Sequence, residues 1–272
     1  MLLAGIFLTL NDGITKWLVP HFPVGQILCI QALIIGAISI CILKFEGKSP
    51  FAFVEYRGHI LRSTMYLIGS FAFVTALRYL PLAEVVAIAF AGPIFMTLFG
   101  KIFLKENVGI HRILAVVCGF VGVLIIIRPG SSAMHWAMIL PLIVAVSDAF
   151  RDIVTRSLTT TESSYRIILS TAMMLVLAGA LTMPFGWETV GVNHIAWFSF
   201  SACSFVLAHY FLIEAFRYAQ VGVVAPFKYI QLIWGVIAGI VIWGEIPATL
   251  VYCGIATIIG SGIYIIWRES KQ

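Results

Sequence analysis

Residues 76–106, ALRYLPLAEVVAIAFAGPIFMTLFGKIFLKE, return 139 positions later as residues 215–245, AFRYAQVGVVAPFKYIQLIWGVIAGIVIWGE. The constant offset matches Ala76 with Ala215, Arg78 with Arg217, Tyr79 with Tyr218, Val85 with Val224, Ile94 with Ile233, Gly100 with Gly239 and Glu106 with Glu245. Arg-Tyr precedes and Glu closes one apolar run in both copies, in a chain where charges are scarce. A duplicated half explains this, so the fold has to be assembled from two copies of one unit.

The medium in which the units fold follows from composition. Hydrophobic residues make up 61% of the 272 and charged residues only 11%, against about 25% charged in a soluble domain. Apolar runs of membrane-spanning length recur along the whole chain, which predicts an integral membrane protein. The first residues already begin a span, so no cleavable signal is expected. Cys29, Cys41, Cys118, Cys203 and Cys253 all lie inside apolar runs without a close pair. They read as small buried hydrophobes, not disulfides or metal ligands.

The pattern predicts an all-α protein of ten transmembrane helices, near 2–19, 23–43, 59–79, 82–103, 109–127, 134–156, 164–184, 193–215, 222–243 and 249–267. Short connections such as Pro20–Phe22 and Leu80–Pro81 require adjacent antiparallel spans. Trp17, Trp136, Trp187, Trp243 and Trp267 fall near the ends of these helices, where an indole suits the headgroup boundary. With a cytoplasmic N-terminus, that side receives twelve Lys and Arg residues, among them Lys48, Arg62, Lys105, Arg156 and Arg217, and the other side only Arg78 and Arg128. That bias puts both termini in the cytoplasm. Arg78 and Arg217 match in sequence yet fall on opposite sides. The five-helix units, 1–130 and 131–272, are therefore expected to be inverted, an architecture that places a site at the repeat interface.

Candidate site residues come from charges inside spans. Asn11-Asp12 in LTLNDGITKWL aligns with Ser147-Asp148 in VAVSDAFRDIV, and Lys16 with Asp152. A carboxylate in a span costs roughly 2.5–3.5 kcal/mol on insertion scales, so it faces a cavity or a partner. Asp12 and Asp148 have two readings: charge neutralisation that joins helices, or a polar pocket for substrate or protons. Lys16 and Arg151 have snorkelling as the alternative. Lys228 follows Pro226 two turns into the ninth helix, too deep to snorkel, and needs a carboxylate or an anionic substrate group. Pro93 and Pro226 interrupt the fourth and ninth spans. Glu214 is a weaker candidate, and Glu106 and Glu245 read as residues that fix loop geometry near Lys101, Lys105 or helix N-termini. His59, His111, His135 and His194 read as solvated surface residues, and His209 as a hydrogen-bonded core residue. The seams Gly235–Gly239 and Ala256/Gly260 let backbones approach, within the bundle or across a homodimer. No HExxH, GxSxG or phosphate loop appears, so an enzyme is not expected, and neither cofactor nor metal is implied.

The two copies of A-x-R-Y…P…G…E, the segment APFKYIQLIWGVIAGIVIWGEIP and the glycine-bearing fifth and tenth spans resemble the EamA domains of the drug/metabolite transporter superfamily. The resemblance covers essentially the whole chain, with one domain in 1–130 and one in 131–272. SDAFRDIVTR with AP-F/Y-K/R-Y further resembles the subgroup of bacterial S-adenosylmethionine uptake carriers. Membership implies a carrier working by alternating access without ATP, with a central cavity built from the first, third, fourth, sixth, eighth and ninth helices. Carried over by position, it places Asp12, Asp148, Lys228 and Tyr229 at or near the cavity; Asn11 and Gln31 complete the candidate substrate-binding residues. Relatives commonly carry Arg where this chain has Gln31.

The expectation is a secondary transporter of the bacterial inner membrane, exporting a small polar or zwitterionic metabolite such as an amino acid or derivative. Asp148 or Asp12 would accept protons if transport is proton-coupled. The alternative is S-adenosylmethionine uptake; a passive channel and a structural membrane subunit are the other classes. The expected partners are a small-molecule substrate, the lipid bilayer and, at a small-residue seam, a second copy; nucleic acid is not expected.

Overall fold

Proline, glycine and short polar turns divide the apolar sequence into helices. The computed structural model describes residues 2–92, 95, 99, 110–127, 135–218 and 221–269, with backbone alone for 110–113, 116, 221–230, 265, 266, 268 and 269. These residues form α1 (Leu2–Leu18), α2 (Val24–Phe45), α3 (Tyr56–Ala76), α4 (Leu82–Ala89), α5 (Ile110–Ile127), α6 (Ile139–Leu158), α7 (Ser164–Ala180), α8 (Val192–Tyr218), α9 (Val221–Trp243) and α10 (Thr249–Glu269). No strand occurs among them. Helices α2 and α8 are each long and apolar enough to cross a bilayer. Helix α2 ends at Gly47, whose φ of 68° lets the Lys48 N–H reach back to the Leu43 carbonyl.

The two prolines expected to interrupt spans differ in outcome. The fourth helix is not continuous from 82 to 103: α4 stops at Ala89, a turn intervenes at Phe90–Ala91, and helical residues resume at Gly92. Ala89 is four residues before Pro93, whose ring would meet that carbonyl in an unbroken helix. Conversely, α9 runs through Pro226 without interruption. Pro93, Lys101, Lys105, Glu106 and Arg128 lie outside the described residues, as do the side chains of His111, Pro226, Lys228 and Tyr229.

Every principal helix contact joins the first five helices to the last five. Helix α2 lies along α7, α5 along α10, α3 along α6 and α1 along α8. Secondary contacts follow suit: α2 meets α8 as α7 meets α3, and α1 meets α9 as α6 meets α4. Exchanging the two sets of five leaves this pattern unchanged. The self-paired crossings are glycine-lined, because only a missing Cβ permits such backbone approach. A Cβ on Gly179 would sit 2.7 Å from the Gly25 carbonyl oxygen, and one on Gly254 would sit 2.7 Å from that of Gly122. The Gly235–Gly239 seam is occupied within the chain, by Val86 and Ala83 of α4. Cys29 is buried, whereas Cys41, Cys118, Cys203 and Cys253 are exposed, contrary to the reading of all five as core residues.

Equivalent turns repeat the same contacts. The Arg78 guanidinium donates to the carbonyls of Val19 (3.4 Å) and Phe22 (2.6 Å), holding the α1–α2 turn. Arg217 donates to those of Thr159 (2.7 Å) and Glu162 (2.8 Å), holding the α6–α7 turn. Val19 and Phe22 therefore correspond to Thr159 and Glu162, an offset of 140, and Leu18 ends α1 as Leu158 ends α6. That register corrects the alignment of Asp12 with Asp148. Asp12 corresponds to Asp152, Thr15 to Thr155 and Lys16 to Arg156.

Two further pairs of equivalent positions carry different chemistry. Phe22 packs on Phe198 with ring centroids 5.4 Å apart. The equivalent pair is Glu162 and His59, with His59 Nε2 3.1 Å from Glu162 Oε1. Glu162 also accepts from the backbone N–H groups of Val54 (2.5 Å) and Glu55 (3.4 Å). His59 is thus buried, not solvated. Burial alone would raise the Glu162 carboxyl, but the Val54 N–H, His59 and the Glu55 N–H outweigh it and hold it below the ordinary carboxylate range.

Candidate functional site

Polar residues that α-helical periodicity puts on one face of α1, α3, α6 and α8 converge on a central cavity of about 160 Å³. Water needs roughly 10–15 Å³ on this measure, so the space holds on the order of ten water-sized groups. Its walls pair equivalent positions of the halves: Leu8, Asn11 and Asp12 of α1 with Asp148, Arg151 and Asp152 of α6. Tyr66, Ser70 and Phe73 of α3 likewise face Phe205, His209 and Leu212 of α8. The scaffold of the site is therefore two-fold, while its chemistry differs from one half to the other.

Two hydrogen-bond clusters make that difference concrete. On one side Gln31 donates to Thr15 (3.2 Å) and Ser201 (2.7 Å), and Ser201 donates to Asn11 Oδ1 (2.8 Å). On the other, Arg62 donates from Nε to Thr155 (2.8 Å) and from Nη1 to Thr171. Thr15 matches Thr155, Ser201 matches Arg62 and Gln31 matches Thr171. One cluster is thus organised by a neutral amide and the other by a guanidinium. Arg62 is one of the largest fully buried side chains, not the cytoplasmic surface residue expected from its place near a helix start.

Charge is distributed just as unequally. Arg151 neither snorkels nor stands alone: Nη1 lies 2.6 Å from Asp148, and Nε and Nη2 lie 3.1 and 2.9 Å from Asp152. Its guanidinium also sits 5.5 Å from the Tyr66 ring centroid. Asp12, only 7% exposed, accepts from Gln231 of α9 at 3.0 Å and has no ion-pair partner among the described residues. Three carboxylates and one guanidinium line the described wall, with the Arg62 guanidinium behind it. A buried carboxylate without a counter-charge is costly unless a proton or a cationic group meets it.

The remaining candidates sit elsewhere. Lys16 forms an ion pair with Glu245 and lies 5.4 Å from the Trp243 ring centroid. Glu245 also accepts from the Leu82 N–H at 3.1 Å, at the α4 N-terminus. Glu214 pairs with Arg217 at 3.3 Å and hydrogen-bonds Ser164, away from the cavity. Arg62, Tyr66 and Gln231 escaped the sequence reading. A cation near a helix start looks solvated, and a neutral Tyr or Gln in an apolar run carries little signal. His209 does make the expected core hydrogen bond, from Nδ1 to the Phe205 carbonyl at 3.1 Å, yet it also lines the cavity.

Comparison with known proteins fits this architecture. Residues 1–128 match the EamA-like transporter family. The chain is 29% identical to a riboflavin transporter of Rhizobium johnstonii, over 100% of this chain and 91% of that protein. It is 23% identical to an S-adenosylmethionine uptake transporter of Rickettsia conorii, over 99% and 92% of the two chains. A solved crystal structure of a protein 15% identical in sequence superposes with a TM-score of 0.71, over 99% of this chain and 98% of the other, and shares the fold.

Proposed function

We propose that this chain, an EamA-domain carrier of the drug/metabolite transporter superfamily, exports an ammonium-bearing metabolite, an amino acid or derivative, across the bacterial inner membrane. The family match over residues 1–128 and the transporter names of the relatives support the coarser reading, a multi-pass membrane protein that transports a small metabolite. Asp12 carries the finer reading. It is a buried carboxylate on the cavity wall whose described partner is an amide, which suits the ammonium of a zwitterion or a proton exchanged for it. Asp148 is already engaged by Arg151, which favours Asp12 of the two carboxylates as the one open to the solute. Asn11 and Gln31 fix the wall beside it.

The proposed mechanism is alternating access, in which residues 1–130 and 131–272 form inverted five-helix repeats of a ten-span carrier and rock about the cavity, with both termini cytoplasmic. The interchangeable contact pattern of the two sets of helices supports this reading. Lys228 and Tyr229 belong to the same proposal through their place on α9, one and less than one turn before Gln231. A passive channel fits less well, since the described polar wall is a bounded cluster.

S-adenosylmethionine uptake is the second reading. It is favoured by relatives of that name that align over nearly the whole chain, and by the fit of a cationic zwitterion to a wall that carries three carboxylates. Proteoliposomes containing the full chain, loaded with labelled amino acids or adenosyl compounds, separate the readings. Saturable counterflow of an amino acid that is lost in Asp12→Asn supports the first; saturable flux of adenosyl compounds alone replaces it with the second. A linear, non-saturating flux indicates a channel.

A further inference from the structure

His209 is 3% exposed, in the middle of α8, and its ring lines the cavity. A carbonyl oxygen only accepts, so the 3.1 Å contact with the Phe205 carbonyl puts a proton on Nδ1. In the neutral ring, Nε2 is then a hydrogen-bond acceptor. Nε2 makes no hydrogen bond among the described residues, and the ring that carries it stands on the cavity wall. The ring cannot swing away from this duty. It stacks on Phe205 with centroids 3.9 Å apart and takes the edge of Tyr66 at 5.4 Å. Tyr66 in turn meets Phe205 at 5.7 Å and carries the Arg151 guanidinium on its other contact.

The two-fold scaffold isolates what is particular here. Phe205 and His209 occupy the positions that Tyr66 and Ser70 occupy in the first half. The second half thus contributes a fixed acceptor on an aromatic wall, while the first contributes Asp12. We propose that His209 is a specificity-determining residue, whose Nε2 accepts a hydrogen bond from an N–H on a planar ring of the transported solute while the solute's ammonium meets Asp12. This rests on the reading of the chain as a carrier of ammonium-bearing metabolites and narrows it to those with a ring donor. Aromatic lining from Phe73, Phe90 and Phe216 gives such a ring apolar contact.

L-leucine, L-tryptophan and 1-methyl-L-tryptophan test this, since the three share the ammonium and the last differs from tryptophan in lacking the indole N–H. In proteoliposomes of the full chain, unlabelled competitors are titrated against counterflow of labelled L-tryptophan and, separately, of labelled L-leucine. L-tryptophan should compete about tenfold more strongly than its N-methyl analogue, as expected for a buried acceptor left unpaired. His209→Phe should bring the two to parity, while His209→Gln, which keeps an acceptor oxygen, should retain the preference. Size-exclusion profiles establish that both variants are folded. Parity in the unaltered protein, a preference surviving in His209→Phe, or saturable exchange of L-leucine without L-tryptophan overturns the proposal and leaves the carrier reading standing. Absence of saturable exchange for all three removes the amino-acid reading itself and this proposal with it.

Discussion

Asp12 and Asp152 occupy equivalent places, yet their neighbours give them different work. Arg151 supplies two nitrogens to Asp152, whereas Asp12 receives one amide hydrogen bond from Gln231. We therefore expect Asp12→Asn to lower counterflow by at least about tenfold, because it removes the carboxylate without a described counter-ion. Asp148→Asn should cost less, since Arg151 keeps Asp152. Comparing initial rates of the two variants decides this, and equal losses would reject the assignment. Arg62 is a positioning residue. Arg62→Gln should lower unfolding stability by about 1.5–3 kcal/mol, the range for hydrogen bonds to a charged group, as read from thermal unfolding in detergent. An unchanged midpoint would mean that its threonine contacts contribute nothing.

At the scale of helices and turns, the repeat was legible because Arg78 and Arg217 and the closing Glu are rare charges in apolar sequence. Their reason is visible in the structure: each arginine ties the first turn of its own half. The register of α1 against α6 was not read correctly, although Asp-x-x-Thr-(Lys/Arg)-x-Leu stands at Asp12–Leu18 and Asp152–Leu158. Asp148 diverted the alignment because a neighbouring carboxylate four residues away, one helical turn, occupies nearly the same face. His59 and Arg62 were read as solvated for a related reason: sequence places a residue near a helix start but does not show the turn folded over it. Glu162→Gln should test that cover. Its folded carboxyl lies below the ordinary range, so its ionised form stabilises the protein above that range, and the benefit disappears as pH falls through the depressed value. The variant should melt lower than the parent at neutral pH, and the gap should close in acid. A gap that is constant with pH would rule out ionisation as its source.

Among the described residues, the first five helices and the last five pack mainly on one another, and neither set packs mainly on itself. Sequence supplied the all-helical class and most limits of the described helices, while the cavity's unequal walls needed the packing. Cysteine substitutions at Lys48 and His135 test the proposed orientation. A membrane-impermeant thiol reagent should label Lys48→Cys from the cytoplasmic side and His135→Cys from the opposite side. Both must be made in a background without Cys41, Cys118, Cys203 and Cys253, which are themselves exposed. Labelling of both from one face would reject inverted halves.

The unlike equivalent pairs, Phe22 against Phe198 and Glu162 against His59, have a thermodynamic consequence. Cold weakens contact between apolar rings, whereas acid discharges a carboxylate and leaves rings untouched. If the two halves rock as proposed and open one of these pairs at a time, chilling and acidification push the protein toward opposite facings. The preferred facing of the protein then becomes a quantity set by its surroundings as well as by its cargo.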